Sequence, residues 1–350
     1  MRSAGGRRRY DACTSSLRRL AGAELSKHRA RSLGRERCSV GDLPSTLKTL
    51  LREFRLGGDL EVHERVDLGA WTTLAIGGLG DLLIRCSTAS AGQRAIDLLA
   101  SHGLRWLVLG AGSRIVAPDR GLRVPLLHLA GELQRCTAEG DGGVIVGAGA
   151  KLAQVGGSLA RSGPPELDRL IGEPGSAGGD LRAAALGEPS TVIGLADWIE
   201  VARPGAGPTR VAPNDSDTAW AAGLGEGRAV ITRVRLRPGQ PSQPLRGLRV
   251  GAARRPVGPL RGRVAPVVFQ DPRGGSAATL LARAGCEVLR FGGARVADWS
   301  SNAIVTTAAC SARDVAELYR MMRDRVAERC GVRLACRLWF LDEQGTRVEP

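Results

Sequence analysis

Three glycine clusters, each standing behind a short apolar run, constrain this chain more than any other feature. Trp106-Leu107-Val108-Leu109 runs into Gly110-Ala111-Gly112-Ser113, and Val144-Ile145-Val146 runs into Gly147-Ala148-Gly149. The third, Gly172-Glu173-Pro174-Gly175-Ser176-Ala177-Gly178-Gly179, follows after the space of one helix. Glycine lets the backbone approach a ligand closely and take positive φ without steric cost. Successive N–H groups in such turns form anion-binding nests, a usual seat for a diphosphate. Glycine is abundant throughout, with 48 in 350 residues, and basic residues are almost all Arg. A single cluster therefore weighs little, whereas the ordered set of three points to a nucleotide cofactor.

The rest of the composition narrows the class. Hydrophobic residues make up 43% of the chain, enough for real cores, and aromatics only 3%. No apolar run reaches the ~20 residues that span a bilayer. The start, Met1 to Arg9, carries the charge of a signal peptide with no apolar segment behind it. The eight cysteines are scattered with no C-x-x-C spacing, which argues against zinc and for small buried hydrophobes in a reducing compartment. A soluble, cytoplasmic protein with no metal is expected. The net charge is +15, with much of the excess before Phe54. That stretch lacks the aromatic interleaving and reading motifs of nucleic-acid binders, so residues 1–45 read as a basic, disordered tail.

Periodicity outlines the remainder. Leu47, Leu50, Leu51 and Phe54 give one face of a short helix within Pro44 to Phe54. Beyond Val62, strands are expected at Leu82–Cys86, Val124–Leu129, Val144–Val146, Ile193–Val201 and Ala229–Leu236. Helices are expected from Ala89 to His102 and from Leu152 to Ser162. Pro238 to Pro266, rich in Pro, Gly and Arg, reads as a link or a surface wrap. A last domain brings helices at Ala277–Ala284 and Ser311–Cys330, a strand at Ala303–Val305, and a closing strand at Leu338-Trp339-Phe340. Ser311 with Asp314 forms a capping-box start, and Gly331 ends that helix.

In this order the pieces resemble the UDP-N-acetylenolpyruvoylglucosamine reductase (UDP-N-acetylmuramate dehydrogenase) family, over about Leu68 to Phe340. The resemblance is carried by Thr72-Thr73-Leu74-Ala75-Ile76-Gly77-Gly78, Val108-Leu109-Gly110-Ala111-Gly112-Ser113, Gly147-Ala148-Gly149 and Pro174-Gly175-Ser176-Ala177-Gly178-Gly179. Phe269-Gln270-Asp271-Pro272, Gly292-Gly293-Ala294, Asn302-Ala303-Ile304-Val305 and Ala312-Arg313-Asp314-Val315 continue it. It implies an α+β fold: a two-subdomain FAD-binding region of the vanillyl-alcohol-oxidase-like type over residues 60–240, dividing between 135 and 136. A smaller α+β substrate domain would follow over 241–350. It also implies FAD held by Gly110, Ala111, Gly112, Ser113, Arg114, Gly149, Gly175, Ser176, Gly178 and Gly179, and NADPH as reductant if the protein is active. In the family, the flavin passes hydride to an enolpyruvyl double bond of a UDP-sugar. A serine then protonates the carbanion-like centre, while an arginine and a glutamate stabilise the enolate.

The matching positions lack those groups. The serine position, two residues before Phe269, is Val267, which has no proton to give. The arginine position is Asn214, in Pro213-Asn214-Asp215-Ser216, and the glutamate position is Arg337, a reversal of charge. Arg210 and Glu343 are the available substitutes. The family's Asn after the first glycine turn is Arg114, a potential phosphate partner, and Glu173 brings a negative charge to the third cluster. The family's Asn-Ala-Gly-Ala-Tyr-Gly stretch reads Ala184-Ala185-Leu186-Gly187-Glu188-Pro189. The sequence thus implies an FAD-binding, oxidoreductase-like protein of peptidoglycan precursor synthesis that is catalytically degenerate or re-purposed. The alternatives are a non-catalytic regulator that binds a UDP-sugar or a cell-wall enzyme, and a true NADPH-dependent reductase with relocated groups.

Overall fold

The computed structural model describes residues 45–57, 60–159, 170, 173–188, 190–213, 221–224, 226–237 and 263–350. The basic segment before Ser45, Asn214 and most of the Pro/Gly/Arg-rich stretch after Arg237 lie outside the described residues. Helix α1 (Ser45–Gly57) buries Leu47, Leu50, Leu51 and Phe54, the four residues whose spacing marks its apolar side. No described helix is long and apolar enough to cross a membrane.

The first sheet holds four strands: β1 (Leu60–Asp67), β2 (Leu79–Cys86), β3 (Leu107–Val108) and, beyond β4 (Ile115–Val116), β5 (Leu126–Leu129). Their order is β1-β2-β5-β3, with β1 antiparallel to β2 and the other pairings parallel. Helix α2 (Ala89–Ser101) makes the crossover from β2 towards β3. Its start is capped by Thr88, whose hydroxyl accepts from Ala91 N at 3.1 Å. Leu82, Leu83 and Ile84 in succession are fully buried, the pattern of a strand covered on both faces.

The second sheet is five-stranded: β6 (Cys136–Ala138), β7 (Val144–Gly147), β8 (Ala196–Arg203), β9 (Gly207–Val211) and β10 (Val230–Leu236), in the order β6-β7-β10-β8-β9. The run from Ile193 is therefore not all strand. Ile193–Leu195 forms a single 3₁₀ turn before β8. Helix α3 (Leu152–Leu159) follows β7, and α4 (Ala177–Ala185) follows the third glycine cluster. Arg235 of β10 is buried and met by the carboxylates of Glu139, Asp141 and Asp197. This triad of partners is what allows a guanidinium inside a sheet.

The third sheet joins β11 (Val264–Ala265), β12 (Arg290–Phe291), β13 (Ala294–Ala297) and β14 (Ser300–Thr306), in the order β11-β14-β13-β12. Helices α5 (Ala277–Arg283) and α6 (Ala312–Cys330) pack on it through a core that includes Phe269, Leu281, Val296, Ile304, Val315, Leu318, Met322 and Val326. The capping box at α6 is complete: Asp314 N donates to Ser311 Oγ and Ser311 N to Asp314 Oδ2, each at 3.1 Å. Replacing Ser311 with Ala should cost about 1 kcal/mol, read as a lowered midpoint in denaturant with an unchanged slope.

The closing strand behaves differently from its expectation. β15 (Trp339–Leu341) does not join the third sheet. It pairs in parallel with β4, directly after the first glycine turn, and antiparallel with β16 (Arg347–Val348). Its side chains divide accordingly, with Phe340 in the core of the third sheet and Leu341 in that of the first.

Candidate functional site

The three glycine clusters meet, but they do different work. Gly110, Ala111, Gly112, Ser113, Arg114, Gly175, Ser176 and Gly179 line one cavity of about 90 Å³, together with Arg182, Trp339 and Leu341. Gly149 and Gly178 line an adjoining cavity of about 50 Å³ that shares Gly110, Ser176, Gly179 and Arg182 with the first.

Open donors lie on the first cluster and at the start of the third. Among the described residues, the N–H groups of Gly110, Ala111, Gly112 and Ser113, and those of Gly175 and Ser176, have no hydrogen-bond partner. The second cluster spends its donors on the fold: Gly147 N to Arg135 O, Ala148 N to Thr232 O and Gly149 N to Leu133 O, at 2.8–2.9 Å. The third spends part of its own on the second. Ala177 N donates to Ala150 O and Gly178 N to Ala148 O, and Gly179 N reaches Ser176 Oγ, the N-cap of α4, at 3.3 Å. The three clusters are thus not equivalent: the first loop, joined by Gly175 and Ser176, keeps donors open to the cavity, and the remainder clasps α4 against β7.

Close approach explains the glycines of the first loop. A Cβ on Gly110 would overlap Ser176 Oγ, and Gly112, at φ +65°, has the Trp71 carbonyl oxygen where its Cβ would lie. Thr73 N donates to Gly112 O at 3.1 Å, pinning the turn from its other side. The loop is therefore held rigid with its donors pointing away from these attachments. This preformed donor set fits a diphosphate.

Arg114 is not a free phosphate partner. Its Nη1 lies 3.0 Å from Glu188 Oε2, and both side chains are largely buried. Glu188 thus answers the charge that the altered loop introduces. Arg182, which the sequence reading passed over, is the cation that remains. Its guanidinium lies 4.3 Å from the centre of the Trp339 ring, and no carboxylate among the described residues pairs with it. Burial, and then the nearby Arg347 charge, pull its pKa down to about 10. The available signal was its setting: a single charged side chain among Leu181, Ala183, Ala184 and Ala185 on a helix behind a glycine cluster. Asp180, also missed, is buried and accepts from Ser190 Oγ, Thr191 N and Val192 N at 2.6–3.1 Å. It anchors the segment that leads into β8.

Two of the three positions at which the resemblance expects catalytic groups come together. Gln270 N donates to Ala335 O, Arg337 N donates to Val268 O at 2.8 Å, and Phe269 bridges Cys336. Val267 and Arg337 therefore lie on adjoining antiparallel segments, and both side chains are buried. Asn302 secures the first segment, its Oδ1 accepting from Phe269 N at 2.8 Å and its Nδ2 donating to Phe269 O at 2.9 Å. Neither residue lines the glycine cavity. The link is Trp339, two residues on, which does line it and whose N–H donates to Arg114 O at 2.7 Å. Asn214 lies outside the described residues. The two substitutes stand elsewhere: Arg210 sits on β9 beside Glu200 and over the Trp198 ring, and Glu343 faces Arg120 and Arg123.

These elements define a class: an α+β protein whose first two sheets meet at a glycine-lined cavity, followed by a smaller α+β region built on the third sheet. Residues 258–340 match the family described as UDP-N-acetylenolpyruvoylglucosamine reductase, C-terminal domain. The chain is 30% identical over 275 residues to the UDP-N-acetylenolpyruvoylglucosamine reductase of Granulibacter bethesdensis, covering 78% of this chain and 88% of that protein. It is 29% identical over 283 residues to that of Acidiphilium cryptum, covering 80% and 90%. The crystal structure of UDP-N-acetylenolpyruvylglucosamine reductase from Thermus caldophilus aligns with a TM-score of 0.59 at 28% identity, over 80% of this chain and 99% of that one. The chain belongs to the UDP-N-acetylenolpyruvoylglucosamine reductase family.

Proposed function

We propose that the protein is an FAD-binding member of this family that has lost the enolpyruvyl reduction and acts, in the cytoplasm, on a different ligand or step around peptidoglycan precursors. The supporting observation is the buried pair of segments carrying Val267 and Arg337 side by side, where the resemblance puts a proton donor and a carboxylate. Reduction of an enolpyruvyl ether needs a proton at the carbon next to the new carbanion-like centre, delivered from within hydrogen-bond reach. Val267 keeps water out and delivers nothing. The neighbouring Arg337 brings a fixed positive charge and no transferable proton near neutral pH.

The cofactor half of the site is supported separately. The open N–H groups of Gly110 to Ser113 would hold the FAD diphosphate. When bound, FAD supplies a reversible acceptor and donor of hydride. NADPH is the corresponding reductant and a UDP-sugar the corresponding ligand. Asp180 keeps α4 and the following loop in register, and Glu188 keeps Arg114 from competing for the diphosphate.

The test is flavin retention by the purified full-length protein. Visible flavin absorbance with near-stoichiometric FAD on release is expected. A colourless protein that takes up no FAD on reconstitution would overturn the reading.

A further inference from the structure

Beside the Arg182–Trp339 stack lies a third cavity, of about 280 Å³, whose walls include Arg105, Trp106, Arg182, Trp339, Thr346 and Arg347. Its charge is lopsided. Three arginines border it, and Glu226, the one carboxylate lining it among the described residues, is exposed and already beside Arg228 at 3.5 Å. Two guanidinium groups stack over one ring, Arg182 at 4.3 Å and Arg347 at 5.0 Å from the Trp339 centroid. Each gains from the ring's negative face, yet the two charges repel, and Arg182 is also desolvated.

Polar atoms here are left wanting. The indole Nε1 of Trp106, a residue only 4% exposed, and the Nε of Arg182 have no acceptor among the described residues. Buried donors without partners are costly. The outer arginines are meanwhile held in place by the backbone. Arg105 Nη2 donates to Gln344 O at 2.7 Å and Thr346 Oγ1 at 2.9 Å, and Arg347 Nη2 donates to Cys336 O at 3.2 Å. A preset array of guanidinium forks is the arrangement that recognises phosphate oxygens.

We propose that this cavity is a binding site for the phosphate or diphosphate group of a small molecule, separate from the glycine loop. Its volume corresponds to roughly nine waters of bulk liquid, room for a diphosphate. An anion there answers Arg105, Arg182 and Arg347 together and relieves the repulsion across Trp339. The site does not depend on flavin binding and stands whether or not the protein retains FAD.

The experiment is calorimetric titration of the full chain with inorganic pyrophosphate, before and after saturation with FAD, with sodium chloride of matched ionic strength as control. Saturable pyrophosphate binding that survives FAD addition is expected. Arg347→Gln and Arg105→Gln, both at exposed side chains that line this cavity and not the glycine loop, should each weaken it about tenfold. Circular dichroism of each variant establishes that it is folded. Absence of pyrophosphate binding, binding unchanged in both folded variants, or binding abolished by FAD would each overturn the proposal.

Discussion

Mixed with NADPH and the enolpyruvyl UDP-sugar of the family reaction, the purified protein should turn over at least about 10⁴-fold more slowly than an intact relative. General-acid delivery of a proton is worth roughly 10²–10⁴, and a preorganised group stabilising developing charge is worth roughly 10²–10³. On the proposed reading, Val267 stands where the first would act. Arg337 puts a cation where the resemblance expects a carboxylate, buried beside the Val267 segment. Nearby replacements do not restore the set, because Arg210 is engaged on β9 and Glu343 by surface arginines. The measurement is NADPH oxidation with and without the enolpyruvyl substrate, alongside an active relative. Substrate-dependent turnover within a hundredfold of that relative would defeat the proposed loss.

The second large effect concerns the fold rather than the chemistry. Gly112→Ala should destabilise the protein by about 3 kcal/mol, the sum of left-handed backbone strain and overpacking. Gly112 sits at φ +65°, and an added Cβ meets the Trp71 carbonyl with Thr72 Cα 2.9 Å away. These are backbone atoms, which cannot step aside as a side chain can. At this chain length the melting temperature should fall by roughly 4–5 °C. Gly179→Ala is the contrast. Its φ is ordinary and its nearest neighbour is the Ser176 hydroxyl at 3.2 Å, while alanine gains up to ~1 kcal/mol of helix propensity. Thermal melts of the two variants should therefore separate clearly. Equal melting temperatures would show that Gly112 is not held against Trp71 as described.

Much of the architecture was legible because local signals agreed with one another. Ser311, Asp314, the stripe of Val315, Leu318, Met322 and Val326, and Gly331 all specify one helix, and α6 runs Ala312–Cys330. β1 was legible only as a change of pattern near Val62. Its residues Leu60–Asp67 show no regular alternation in burial and no clear apolar face, as suits an edge strand. The two-residue strand β4 carries no periodicity at all, so the partner of the closing strand could not be read. The glycine clusters were visible as composition, but composition does not say which N–H groups neighbouring carbonyls have already taken. That distinction, between donors left open and donors spent on packing, rests on contacts with Leu133, Ala148 and Ala150. Arg182 was hidden for a similar reason. A guanidinium in an alanine-rich helix looks like a solvated side chain until Trp339 arrives from the far end of the chain.

That arrival has a consequence for synthesis. Arg105 bonds to Gln344, 239 positions further along the chain, and β15 closes against β4 just after the first glycine turn. On the ribosome, a nascent polypeptide can build the first sheet and its loop early, yet the pocket wall stays missing until the final strand emerges. Cofactor loading should therefore be a post-translational event, with no flavin captured by release-arrested chains that stop short of Trp339.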